Sequence, residues 1–319
     1  MKRSIYSAFF VLLISSAGRA DDFQSASYGE FGAEYLKLAR HAHSAGLANA
    51  VTAWQEDLAG LQFNPALLAS NKAHLVKGTY TYLTLDRKYN STEYASPAYG
   101  NLVWAISCLS FGVDDIEGRD EDGNLTENFN DNEINADFTL SGRVPGLFSY
   151  GVRLRYLFQK IGESWGDMAQ GAGLDLGFYY RPWERVGVGA SLLSLGSKMY
   201  WDNGHQDWVV PVFRMGVFGN LIDSILAVEV DIMKPWTQPL EASFGMQGTI
   251  LKVLAARAGI GSAATFVNDK LDFLDPELFF GVGLRYNNFG IDYSAMKPWS
   301  PLGLGHKFTL LVKFPGVFR

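Results

Sequence analysis

The chain has 319 residues and one cysteine, Cys108, so no disulfide can form within it. Cys108 lies deep in the sequence, where it cannot be a lipid-anchored first residue, and it reads as an inert thiol in a strand. After residue 20 no apolar run approaches the ~18 residues that a spanning helix needs. Cationic excess is also missing. The net charge is −6, and nothing resembles the basic footprint of a nucleic-acid binder. Charged residues make up 19%, below the usual quarter of a soluble domain. No Gly-x-Ser-x-Gly elbow, phosphate loop or His-Glu-x-x-His motif occurs. Of the five histidines only His41 and His43 are close in sequence, and two residues apart on a helix they diverge. These absences point to a protein that is not an enzyme and carries no metal or cofactor.

Aromatic residues (14%) and 34 glycines are plentiful, a composition that suits many short strands. Residues 173–193 show the pattern best. Leu174, Leu176, Phe178 and Tyr180 share one parity, and Gly173, Asp175, Gly177 and Tyr179 the other. After Pro182-Trp183-Glu184-Arg185 the alternation resumes with Val186, Val188, Ala190 and Leu192. Side chains with a period of two point to opposite faces of a strand. A soluble sandwich buries its apolar face, whereas a membrane barrel turns it to lipid. The spacings predict about fourteen strands, at 75–85, 89–98, 101–112, 135–143, 148–161, 172–181, 185–194, 209–219, 224–232, 239–250, 253–261, 277–286, 289–295 and 305–314. Their even number fits a single-chain bacterial barrel.

Tight turns rich in Pro, Gly and Asn, such as Pro145-Gly146 and Asn287-Asn288, alternate with longer polar connections through the last ten links. Outer-membrane barrels sort their loops this way, short on the periplasmic side and long outside. The densest long connection, 114–133, is strongly acidic with Arg119 as its one basic residue. It reads as a solvated outer loop. Its oxygens suit Ca²⁺ or the divalent ions between lipid phosphates, but the calcium-hand spacing is missing.

A charge on the lipid face near the midplane costs roughly 2–4 kcal/mol for Arg or Lys. The charged parity is therefore expected to line a lumen, with Arg153, Arg155, Asp175, Glu229, Asp231, Arg257, Arg285 and Asp292 facing inward. They would either pair among themselves to brace the wall or contact a ligand.

Residues 1–20 read as a secretory signal peptide, with Lys2 and Arg3, an apolar stretch, and small residues before a cut at Asp21. Residues 28–70 lack strand alternation, and 34–45 and 50–61 have helical character. Asn64-Pro65-Ala66 starts a turn, since a residue before proline is kept out of the helical region. Fourteen strands enclose more space than wall side chains fill, so 21–74 is expected to plug the lumen of a barrel formed by 75–319.

The order of these features resembles the PorV/PorQ (UPF0164) family of FadL-like outer-membrane proteins. The matching pieces are Phe31-Gly32-Ala33, Leu36-Lys37-Leu38, Asn64-Pro65-Ala66, Asp120-Glu121-Asp122-Gly123-Asn124, Leu195-Gly196-Ser197-Lys198-Met199, Asp292-Tyr293 and Gly305-His306-Lys307-Phe308. Leu67 stands where the family usually has glycine, and the glycine run before Asn64 is thin, which suggests a more helical plug. The resemblance implies an all-β transmembrane barrel in the bacterial outer membrane, surrounded by lipid. It would pass or hold hydrophobic small molecules, or serve a type IX secretion system by binding exported proteins. A soluble secreted β protein is the remaining alternative.

Overall fold

The computed structural model of the chain describes residues 31–162, 168–223, 225–267, 270–297 and 305–314. The expected leader and its cut before Asp21 lie outside the described residues. The strands are β1 (His74–Tyr82), β2 (Arg87–Ala95), β3 (Leu102–Ile116), β4 (Phe129–Val144), β5 (Phe148–Ile161), β6 (Met168–Trp183) and β7 (Val186–Trp201). They continue with β8 (Gln206–Trp208), β9 (Val212–Ile222), β10 (Leu226–Pro235), β11 (Leu240–Ile250), β12 (Leu254–Val267), β13 (Lys270–Tyr286), β14 (Phe289–Lys297) and β15 (Gly305–Phe314). Neighbours in the chain pair antiparallel, β1 pairs with β15, and β7 pairs with both β6 and β9, so the sheet closes on itself. The short β8 only extends the end of β7. The fold is a closed antiparallel barrel of fourteen strands.

Alternation decides which face each residue takes. On β5, Val152, Leu154 and Tyr156 are exposed on the exterior, while Arg153 and Arg155 are buried inside. On β13 and β15, Leu278, Phe280, Val282, Leu284, Phe308 and Leu310 are exterior. Cys108 is exposed on the same exterior face of β3. Exterior apolar residues without a protein partner are what a bilayer would cover.

One end of the barrel carries tight turns. At Leu251-Lys252, both residues hold a left-handed backbone, with φ of 53° and 57°. Ile250 pairs with Leu254, so three residues make this turn, and its left-handed pair is reached without glycine or asparagine. The opposite, loop end is more strand-like than the sequence suggests. The connection expected over 261–276 is largely the paired ends of β12 and β13, and β7 runs to Trp201.

Residues 31–73 lie inside the ring and form the plug. The expected helices are mostly absent there. The segment holds a four-residue helix, α1 (Ala42–Ala45), and single 3-10 turns at Glu34–Lys37, Glu56–Leu58 and Pro65–Ser70. The amides of Val51, Thr52 and Ala53 donate to wall carboxylates, so they cannot also serve a helix, and Asp57 and Leu58 take positive φ.

Candidate functional site

The plug is seated by polar groups that the wall strands aim inward. Asp231 on β10 accepts from the amides of Val51 and Thr52 at 3.2 and 3.1 Å and from the Thr52 hydroxyl at 2.5 Å. Glu229, two residues earlier and so on the same face, accepts from the Ala53 amide at 2.6 Å. Arg214 on β9 pairs with Asp231 at 3.0 Å, donates to the Asn49 carbonyl at 2.7 Å, and lies over the Phe63 ring. Across the lumen, Arg153 donates to the carbonyls of Leu61 and Gln62 and pairs with Asp175 at 3.1 Å. Arg155 joins the same Asp175 at 2.6 Å. Arg257 and Arg285 share Asp292, each at 2.7 Å.

All eight residues expected to line the lumen thus face inward. Their carboxylates and guanidinium groups are engaged with one another or with the plug. Buried charges need such partners, because an unpaired one is costly in a low-dielectric interior. Arg40, Asp137, Arg214 and the Lys77–Glu93 pair (2.9 Å) do the same work. Asp137 and Arg214 carried the signal that marked the others, a charge within an apolar alternation. Arg40 stands in the plug, where no alternation exists to mark it.

Asn64 holds the plug's second half. Its side-chain amide donates to the carbonyls of Thr52 and Phe178 at 2.8 and 2.9 Å, and its carbonyl oxygen accepts from the Ala66 amide at 3.0 Å. Pro65 then opens the 3-10 turn with φ already set. The wall makes room by omitting side chains. A Cβ on Gly177 would lie 2.3 Å from the Asn64 side chain, and one on Gly189 would lie 2.2 Å from the Thr52 carbonyl. Leu67, where a small residue was expected, is fully buried and faces Gly60.

At the turn end Asp57 pairs with Arg285 at 2.7 Å and with Lys313 at 2.5 Å. Burial alone would raise the Asp57 carboxyl, but the two cations outweigh it and hold the group at about 2. Burial also dominates at His41, where it and the Lys77 ammonium lower the imidazole to about 4 against the pull of Glu93. His43, enclosed beside Trp54 with Arg257 and Arg285 nearby, is driven well below its ordinary value, again chiefly by burial.

Between plug and wall at the loop end lies a cavity of about 490 Å³. Its floor is Ala45, Ala48 and Asn49, and its walls include Leu83, Met233, Phe279 and Met296, with Lys307 and Glu241 among the polar groups. Below the floor, Leu47, Val51, Trp54 and Phe63 pack into a buried apolar layer. At the turn end are two further cavities, of about 350 and 240 Å³. Among the described residues these share no lining residue with the loop-end vestibule, so the plug's apolar layer separates the two sides.

No family model matches the chain, and no curated protein matches it in sequence. Solved structures do match in shape. The Ralstonia pickettii toluene transporter TbuX is 12% identical with a TM-score of 0.62, the match covering 86% of this chain and 98% of that one. The Pseudomonas putida toluene transporter TodX gives 12% and 0.56 over 80% and 92%. A Pseudomonas aeruginosa FadL homologue gives 12% and 0.61 over 88% and 99%. The chain therefore has the fold of the FadL-type barrels. The narrower likeness to PorV/PorQ finds no support among these matches.

Proposed function

We propose that the protein is an outer-membrane barrel that admits hydrophobic small molecules by passive passage, with residues 31–73 as its gate. The observation that carries this reading is the arrangement of the loop-end vestibule. A largely apolar cavity of about 490 Å³ opens above the plug, a size and lining suited to a small hydrophobic ligand. The exterior belt of Val152, Leu154, Tyr156, Phe280 and Leu310 argues against a soluble β protein. The long acidic connection and the vestibule share one end, which is the outer end in this reading, and the tight turns face the periplasm. The fold shared with toluene transporters is consistent with a hydrophobic permeant. No feature of the barrel specifically favours binding exported proteins.

Passage is tested in liposomes carrying the purified protein, by uptake of a radiolabelled monoaromatic hydrocarbon against a charged solute of similar size. Selective, saturable uptake of the hydrocarbon is the expected result, and parity with protein-free liposomes would refute the reading. Deleting residues 28–62 should leave an inserted barrel with larger and less selective conductance in planar bilayers. An inserted barrel of unchanged conductance would show that the segment is no gate.

A further inference from the structure

The arginines that point inward from the middle of the wall are neutralised. Arg153, Arg155, Arg214, Arg257 and Arg285 each lie against a carboxylate. Two at the turn end are not. Arg143 continues the parity of Asp137, Thr139 and Ser141 on β4, and Arg181 that of Asp175 and Tyr179 on β6, but at the rim both side chains are exposed to solvent. Both line a cavity of about 240 Å³ under Gln55 of the plug. Among the described residues neither guanidinium makes an ion pair or hydrogen bond, although the Arg143 amide donates to the Asn101 carbonyl at 3.2 Å. The adjoining cavity of about 350 Å³ shares Gln55, Tyr179 and Arg181 with it and reaches Lys252, whose ammonium is likewise unpaired; the cavity's one carboxylate among the described residues, Glu56, accepts from the Gln247 side chain at 2.8 Å.

Lys252 adds a second observation. It sits in the β11–β12 turn beside Leu251, where both residues are left-handed although neither is glycine or asparagine. A bulky residue held there is strained, and such strain persists where the surroundings or function demand it. The turn keeps its cation at the rim of the cavity.

We propose that this end of the barrel is a docking site for an acidic segment of another protein, which Arg143, Arg181 and Lys252 would bind. Span decides between a polypeptide and a small anion. From β4 round to β11 the ring order β4-β5-β6-β7-β9-β10-β11 gives six strand spacings, or roughly 30 Å of arc at about 4.8 Å each. A phosphate or a single carboxylate in either cavity meets at most two of the three cations. An extended acidic segment of about nine residues covers it, at about 3.3 Å per residue. Such a segment also passes Gln55, so docking touches the gate from beneath. That the partner is periplasmic rests on the orientation proposed above; the charge arrangement does not.

The experiment uses fluorescein-labelled nonaglutamate and the full-length barrel in phosphatidylcholine nanodiscs, read by fluorescence anisotropy at low salt. Saturable binding is expected, weakened at least about tenfold in the triple variant R143Q/R181Q/K252Q, since each exposed contact is screened but the three act together. The charge-keeping pair R143K/R181K should retain it. Arg185, already paired with Asp223 at 2.6 Å, gives the control, and R185Q should bind as the unaltered protein does. Undiminished binding by the triple variant would overturn the proposal. Displacement by inorganic phosphate or by phosphatidylglycerol as effective as by unlabelled peptide would overturn it too, assigning the cations to a small ion or to lipid. Hydrocarbon uptake by the triple variant separates the two readings: the proposal expects uptake unchanged while peptide binding is lost. Failure of uptake in the unaltered protein would sink the passage reading alone.

Discussion

Arg40 and Asp137 meet at 2.5 Å although 97 residues separate them and one belongs to the plug, the other to β4. The same guanidinium also reaches Asn135 and Ser107. The pair joins plug to wall in a site closed to solvent. Breaking a buried pair on one side leaves an uncompensated charge, which costs on the order of 3–5 kcal/mol. Arg40→Met should therefore loosen the plug by about that amount and raise the open fraction in single-channel recordings. Arg40→Met combined with Asp137→Leu should recover much of the loss, because both charges are gone. A double variant as open as the single one would show that the pair is not the seat.

Trp54 is the largest side chain of the apolar layer that separates the two sides. It lies edge-on to Phe218 at 5.0 Å and to His43 at 6.0 Å between ring centres. Trp54→Ala removes a fully enclosed indole, a change that typically costs about 3–5 kcal/mol. Hydrocarbon uptake should rise while β-sheet content by circular dichroism stays constant. A rise in leak of charged solutes without any rise in hydrocarbon uptake would contradict the placement of the barrier here.

Acidification should open the gate within a definite window. The seated His41 binds a proton only near pH 4, whereas a displaced, hydrated histidine does so near its ordinary value of about 6.5. The displaced state takes up protons first, so seating weakens as pH falls from about 6.5 to about 4, and His41 contributes no further change below that. His43 acts in the same direction. Conductance measured from pH 7.5 to 4.5 should rise, and His41→Gln with His43→Gln should flatten the rise. A gate equally closed throughout would remove the histidines from its control.

The ends can be assigned by labelling. Asn124 stands in the acidic loop, in a turn where Asp120 accepts from its amide at 2.8 Å, and Asn287 in the tight β13–β14 turn. With Cys108 replaced by Ser, a cysteine at 124 should react with an impermeant thiol reagent on intact cells, and one at 287 should not. The opposite pattern would invert the barrel.

The wall was legible from residues because its constraint is local and periodic. Lipid-side and lumen-side neighbours alternate, so Val152, Arg153 and Leu154 declare their faces without reference to any distant part. Strand ends beyond Gly261 were not legible, since at the rim both faces meet polar surroundings and the alternation loses its cause. The plug's conformation was hidden for a different reason. Residues 50–61 look helical by composition, but their amides answer to Asp231 and Glu229, about 180 residues away, and no local rule reports a partner that distant. The lumen charges were visible as charges. That they spend themselves on the plug, leaving Arg143 and Arg181 unmatched, needed the three-dimensional register.

The amide of Ala42 donates to the Thr309 hydroxyl at 2.9 Å, linking α1 to the final strand. The plug thus precedes every described wall strand in the chain and finds its complete surroundings only with the last of them. Until β15 reaches β1 there is no enclosed lumen, and the plug's buried polar groups have only water or half a wall to satisfy them. Contacts of such sequence separation form late and slowly. Closure of the ring and seating of the plug are then one event, and a barrel that closes before residues 31–73 are in place shuts them out rather than in.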